Sequence, residues 1–293
     1  MPEGDVVWRT AQRLDAALSG RVLVVTDLRW PSLATVDLTG RTVVETLARG
    51  KHILTRIAAP AAGGGAVTLH SHLRMEGSWR VDRTSVTPGR RAHGPDVRAI
   101  LGNEEWTATG VKLGLLDLVE TRDEPTVVGH LGPDVLGPDW DPGRVLANLR
   151  AAPERAVGEA LLDQRVLAGI GTFYMAETLF LAGRSPWTPV GDIGGEALSR
   201  IVQRVYGLLH LNRDRVAQVT TGDPRPGHEA YVHGRSGRPC RRCGTTVRVA
   251  RLGPPPRDRV AFYCPTCQPG PAPTDDGRPQ RPLGARERNR GAG

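Results

Sequence analysis

Lysine is nearly absent from this sequence: of 39 basic residues only Lys51 and Lys112 are lysine, and the rest are arginine. Aromatic residues make up 4% of the chain, and no stretch approaches the roughly 20 consecutive apolar residues of a membrane-spanning helix. The start, MPEGDVVWRT, lacks the basic-then-apolar run of a secretion signal, so the expected location is the cytoplasm. Cysteine is scarce and confined to Cys240, Cys243, Cys264 and Cys267. Four cysteines gathered near one end make no framework for stapling a secreted protein, and they read as a metal site in a reducing compartment. What is abundant is length and positive charge. With 293 residues the chain is long enough for two domains with real cores, and a net charge of +8 favours a polyanionic partner.

Apolar residues at Val7, Ala11, Leu14 and Leu18 recur at helical spacing and predict an amphipathic helix over 5–18. From Arg21 to about Leu118 the pattern changes to short β-type runs broken by Gly, Pro and Asp, the spacing of a sandwich or barrel. The small-residue stretch from Ala58 to Ala66 reads as a hairpin loop. Proline and glycine accumulate over 121–142, as in a linker. Helical periodicity then predicts elements over 145–149, 157–164 and 172–182, and a longer one around Leu198 to Leu209. The division implied is 1–122, a linker over 123–143, a helical domain over 144–234, a cysteine-bearing unit over 235–268, and a basic tail over 269–293 too poor in apolar residues to fold alone.

Cys240-Arg-Arg-Cys243 and Cys264-Pro-Thr-Cys267 are two C-x-x-C knuckles, the pattern of a tetrahedral four-cysteine zinc ribbon. Four protein ligands leave no open position for a substrate, so one structural Zn²⁺ is expected. Arginines at 238, 241, 242, 248, 251, 257 and 259 crowd this unit and suit it to phosphate contacts. Upstream, the run from Glu159 to Phe180 reads helix, glycine-bearing turn, helix. Gly169 and Gly171 would let backbone amides converge ahead of the second helix, whose N-terminus favours an anion; a plain helical hairpin accounts for the same pattern. At the start, removal of Met1 would make Pro2 a terminal secondary amine. Such an amine can attack an electrophilic sugar carbon and form an iminium, with Glu3 beside it to move protons.

MPEGD at the start, Arg49-Gly50-Lys51-His52, LLDQRVLAGIG in the turn, and the ribbon ending RVAFYCPTCQ together resemble the formamidopyrimidine-DNA glycosylase and endonuclease VIII family, in order from Pro2 to Gln268. The PEG start and the short stretch before the ribbon look closer to the endonuclease VIII branch. The resemblance implies an N-terminal β-sandwich with a flanking helix, a helix-two-turn-helix domain and a C-terminal four-cysteine zinc ribbon. It also implies a bifunctional DNA glycosylase/AP lyase that excises oxidised bases, pyrimidines by branch, and nicks the abasic site by β,δ-elimination. By position Pro2 is the nucleophile, Glu3 the general acid/base, and Lys51 a phosphate-binding catalytic group. Arg259 corresponds to the zinc-finger arginine that grips phosphates, and Gly169, Gly171 and Thr172 to the phosphate-holding turn. The segment HLRMEGSW resembles the loop that fills the vacated stack, with Met75 as wedge; a buried core methionine is the alternative reading of that residue.

Two positions depart from the family pattern. Thr172 stands where Asn is usual, and Val6 where many members carry Glu, which would shift phosphate contact toward backbone amides and remove one carboxylate. They motivate an alternative, a binding protein for damaged or single-stranded DNA with weak or no catalysis; a weaker alternative is an RNA-associated zinc-ribbon protein. The partner expected is damaged DNA, met by a monomer in the cytoplasm and on the nucleoid when bound.

Overall fold

The computed structural model describes residues 2–60, 63–84 and 94–273, which fall into two compact units divided between Trp140 and Asp141. Part of the loop expected at 58–66 and most of the basic tail lie outside the described residues.

The first unit opens with helix α1 (Gly4–Leu18), which buries Val7, Ala11, Leu14 and Leu18 along one stripe. Eight strands follow: β1 (Val25–Leu28), β2 (Val43–Arg49), β3 (His52–Ile57), β4 (Val67–His72), β5 (Ser78–Arg83), β6 (Val97–Gly102), β7 (Trp106–Val111) and β8 (Leu115–Glu120). They form two antiparallel four-stranded sheets, in the orders β1-β6-β7-β5 and β2-β3-β4-β8. Alternating side chains such as Ile53 and Ile57 on β3, Leu69 on β4, and Ala99 and Leu101 on β6 are buried with the α1 stripe in one core. At Gly110 a β-carbon would come within 3.2 Å of the Trp79 ring and 2.6 Å of Leu113, so the absent side chain is what admits the indole.

A short helix α2 (Glu124–Val128) ends the sandwich and is tied to it by charge. Arg56 on β3 grips the buried Glu124 carboxylate with two hydrogen bonds of 2.7 and 2.6 Å, and Thr68 on β4 donates a third at 2.6 Å. Burial alone would raise the Glu124 carboxyl, but these donors bring it below its ordinary value.

The second unit holds α3 (Pro142–Arg150), α4 (Val157–Leu162), α5 (Thr172–Ala182) and α6 (Gly195–Asn212), then the hairpin β9 (Arg248–Leu252) and β10 (Arg259–Tyr263). Asp141 caps α3 by accepting from the Arg144 amide at 3.0 Å, with Pro142 in the first turn. Helix α5 is buried over most of its length, and Gly183, at φ 63°, supplies the left-handed residue that ends it. Phe180 of α5 packs with Val232, Val247 and Phe262, joining the helical layer to the cysteine-bearing segment.

Candidate active site and nucleic-acid interface

In the first unit, Pro2 is partly exposed at the mouth of α1, while Glu3 behind it is fully buried. The Glu3 carbonyl accepts the Val7 amide at 3.0 Å, so backbone bonding to the first helical turn fixes where both residues lie. Asp5, in the first turn of α1, is a second buried acid, 1% exposed. Both acidic side chains therefore sit at the positive end of the helix.

Lys51 occupies the tight turn between β2 and β3, beside Gly50 at φ 59°. That turn is held from outside the hairpin. Asp134 accepts the Gly50 amide at 2.6 Å and the Leu136 amide at 3.1 Å, and Arg49 reaches Asp139 at 3.0 Å and the Gly132 carbonyl at 3.0 Å. Burial pushes the Asp134 carboxyl upward, against the hydrogen bond from Gly50. The Pro- and Gly-rich stretch 131–140 thus positions the lysine turn, a role that composition alone does not announce.

Next to Lys51 lies a cluster of histidines. His52 Nδ1 and His70 Nε2 are 2.7 Å apart, the two rings stack at 5.0 Å, and His72 meets His52 edge-on at 5.0 Å. Desolvation, then the neighbouring charges, pushes His52 down to about 3 and His72 to about 4, so both are neutral at physiological pH. His72 Nδ1 accepts the Arg74 amide at 2.9 Å and so shapes the loop that follows β4. At its crest Met75 is 66% exposed, which sets aside the core reading and leaves an apolar side chain presented to solvent.

In the second unit the glycines of the turn have different reasons for being there. Gly169 takes φ 112°, a conformation reserved for glycine, whereas Gly171 is extended and caps the start of α5. Gln164 bridges the turn from within, donating to the Leu162 and Ile170 carbonyls at 3.0 Å each and accepting the Gly169 amide at 3.1 Å. Thr172 is only 5% exposed, so the first backbone amides of α5 offer more to an anion than its hydroxyl does. Beside the turn, a cavity of about 240 Å³ is lined by Glu159 and Asp163 on one side and Arg257 and Arg259 of the hairpin on the other. Asp163 is held well below the usual carboxylate range by Arg165 first and then Arg155, which leaves those two arginines compensated. Arg259 is exposed and spends one nitrogen on the Arg257 and Asp258 carbonyls, each at 3.1 Å.

Some ribbon arginines do structural work instead. Arg241 donates to the Ala230 and Gly227 carbonyls, and Arg242 lies over the Phe180 ring at 4.5 Å. The charge-rich look of the segment therefore overstates what it can offer to phosphate. A residue with no motif to announce it governs this region: Glu177 of α5, fully buried, accepts the amides of Tyr231, Val232 and His233 at 2.8 to 2.9 Å, and the Thr220 hydroxyl as well. A lone acid inside so apolar a helix was the available signal.

The four cysteine sulfurs all lie within 4.8 Å of one another, with Cys240 to Cys267 at 3.9 Å and Cys243 to Cys264 at 3.5 Å. Tetrahedral bonds of about 2.3 Å to sulfur require separations of about 3.8 Å, so the set fits a metal ion. Burial, then the adjacent sulfurs, pushes the Cys267 thiol up to about 12, so a cation at the centre would favour its thiolate.

A β-sandwich led by a helix with Pro2 and the buried Glu3 at its start, and a unit that combines a helical layer with a four-cysteine ribbon, define the class of DNA-damage glycosylases. The comparisons agree. Residues 1–111 match the formamidopyrimidine-DNA glycosylase N-terminal domain, and residues 131–218 match the H2TH domain of the same enzymes. The chain is 53% identical over 281 residues to a probable endonuclease 8 2 of Streptomyces coelicolor, covering 95% of this chain and 98% of that protein. It is 45% identical over 268 residues to the DNA-(apurinic or apyrimidinic site) lyase Nei2 of Mycolicibacterium smegmatis, covering 92% and 99%. Its fold is similar to that of the Lactococcus lactis Fpg (MutM) protein solved with N7-benzyl-Fapy-dG DNA, at TM-score 0.73 and 24% identity, covering 92% of this chain and 100% of that one. The chain belongs to the formamidopyrimidine-DNA glycosylase family. Among the described residues no helix is long and apolar enough to cross a membrane.

Proposed function

We infer that this DNA glycosylase and abasic-site lyase works through Pro2, and that its substrates are oxidised bases, pyrimidines first. The observation that carries the reading is the start of α1, where Pro2 is accessible and a fully buried carboxylate, Glu3, follows it. With Met1 removed, the Pro2 nitrogen attacks C1′ of the damaged nucleotide, the glycosidic bond breaks, and the departing base takes up a proton. The sugar ring opens to an iminium between Pro2 and C1′, with a proton delivered to O4′. Loss of a C2′ proton then expels the 3′ phosphate, and a second elimination expels the 5′ phosphate. A carboxyl at Glu3 can exchange these protons. An α-amine, with a reference pKa near ~8, is deprotonated more readily than a lysine amine, and the positive end of α1 favours the free base further.

Lys51, on the turn fixed by Asp134, supplies a compact ammonium for a phosphate beside the lesion. Met75 fills the stack that the flipped nucleotide leaves, offsetting part of a cost of a few kcal/mol. The amides at Gly171 and Thr172, on the turn that Gly169 shapes, and the guanidinium of Arg259 take further phosphates. Cys240, Cys243, Cys264 and Cys267 hold one Zn²⁺, which stabilises the ribbon that carries Arg259 and takes no part in bond breaking. The protein works as a monomer on damaged DNA in the cytoplasm.

The test is incision of a duplex containing one abasic site. Wild type should leave phosphate at both ends of the gap, and Pro2→Gly should lose nearly all cleavage while still binding the duplex. Equal cleavage by the two proteins would return the chain to the binding-protein reading.

A further inference from the structure

Arg74, in the loop between β4 and β5, takes φ 54°, the left-handed conformation that a residue with a β-carbon enters at a cost and glycine enters freely. Strain of this kind is kept where the side chain it aims has a function. The surrounding backbone fixes it. The Arg74 amide donates to His72 Nδ1 at 2.9 Å, the Gly77 amide closes the loop on the Leu73 carbonyl at 2.9 Å, and the Gly114 amide donates to the His72 carbonyl at 3.0 Å. Gly114, in the turn between β7 and β8, lies directly against the Arg74 stem. A β-carbon there would come within 2.0 Å of the Arg74 Cγ and 2.6 Å of its Cβ. Gly114 is not itself left-handed, so what this glycine provides is room for the arginine.

The guanidinium so placed is exposed, and among the described residues no hydrogen bond or ion pair engages it. The acid nearest in sequence, Glu76, is bonded to Lys112 at 3.1 Å instead. Strand register brings Arg74 toward Lys51. His52 pairs with His72 across β3 and β4, so Lys51, one residue before His52, and Arg74, two beyond His72, leave the same end of the same two strands. Paired strands run about 5 Å apart, so two long side chains starting there can meet at one group. The His72 ring senses both: burial first, then the Arg74 charge and the Lys51 charge, pushes it down to about 4. A guanidinium and an ammonium beside one neutral ring repel each other, and an anion between them turns that repulsion into two attractions.

We propose that Arg74 and Lys51 clasp the same phosphate of the damaged strand, the guanidinium as a bidentate fork and the ammonium as a point charge, with Gly114 keeping open the path of the Arg74 side chain. The proposal rests on the reading of Lys51 as a phosphate ligand and adds a second residue to it. The fork takes two oxygens of one phosphate at once, so it fixes the orientation of the group as well as its charge, which a lone ammonium does not.

The experiment measures binding of the full-length protein, by fluorescence anisotropy, to a duplex with a tetrahydrofuran abasic site. No iminium can form on that sugar, so the outcome is independent of Pro2 chemistry. Each phosphate flanking the site on the damaged strand is replaced in turn by an uncharged methylphosphonate. Arg74→Gly, a residue the local backbone suits, should weaken binding to the unmodified duplex by about tenfold and lower the slope of log Kd against log salt by about one. One methylphosphonate should weaken wild type strongly but leave both Arg74→Gly and Lys51→Ala nearly unaffected, marking the shared phosphate. Gly114→Ala should cost about as much as Arg74→Gly, and adding it to Arg74→Gly should cost no more than about a further twofold. The proposal is overturned if Arg74→Gly and Lys51→Ala are insensitive to different phosphates, or if the Arg74→Gly loss follows the base opposite the gap and no phosphate. If Arg74→Gly alone responds to every replacement as wild type does, the clasp fails and the Lys51 reading stands. If Lys51→Ala alone does so, both fail.

Discussion

Lysine at position 51 is a choice the rest of the chain does not make, since nearly every other cation is arginine. Its turn is positioned by Asp134 through the Gly50 amide, so the side chain leaves a fixed point toward a target a planar guanidinium would meet differently. Lys51→Arg should therefore preserve charge and DNA affinity yet lower single-turnover cleavage of an abasic duplex by about tenfold or more. Equal rates would reduce Lys51 to a generic cation. The histidines beside it make a pH prediction. His52 and His72 have values depressed by burial to about 3 and about 4, so the folded protein stays neutral there while the unfolded chain takes up protons below the ordinary histidine value of 6.5. Stability of the first unit should consequently fall as pH drops from about 6.5 toward 4, and His52→Gln should flatten that decline in thermal unfolding curves. At this scale the sequence singles out Lys51 by its rarity, and its place in the β2–β3 turn is what the structure adds. It was silent on the histidines, which lie on neighbouring strands and meet only through the register pairing His52 with His72.

Elements were legible in proportion to their periodicity. Helix α5 spans the predicted 172–182, and α6 extends the apolar run around Leu198 to Leu209 by about a turn at each end. The sandwich spacing over 21–118 resolved into eight strands among the described residues, whereas the pairing order of the two sheets could not be read from runs of similar length and composition. The punctuated stretch 123–143 holds α2 and the anchor Asp134, because proline and glycine mark turns without saying what the turns contact. Glu177 joins α5 to the segment leading into the ribbon through three backbone amides. Glu177→Ala would leave these donors unsatisfied in a buried site and should cost the second unit about 3 kcal/mol or more in denaturant unfolding. Loss within about 0.5 kcal/mol would show that the amides find other partners. Metal removal acts on the next element. A strong chelator should release close to one Zn²⁺ per chain and unfold the β9–β10 hairpin, abolishing tight DNA binding with the α1 region intact by hydrogen exchange.

Across the whole molecule, the excess of +8 favours a polyanionic partner, and steep salt dependence would follow from any such binding, productive or not. The fold and the family narrow this to damaged DNA, and what distinguishes an enzyme from a binding protein of identical shape is a bond formed at one atom. That bond can be caught. An abasic duplex should be incubated with the protein, its Met1 shown by mass spectrometry to be removed, in the presence of cyanoborohydride, and the product digested and sequenced by mass. The account predicts a reduced covalent adduct of stoichiometry near one, on the peptide beginning at Pro2, and its absence from Pro2→Gly. A fully processed protein that binds the duplex tightly and yields no adduct, or one that carries the adduct on Lys51 instead, would contradict it.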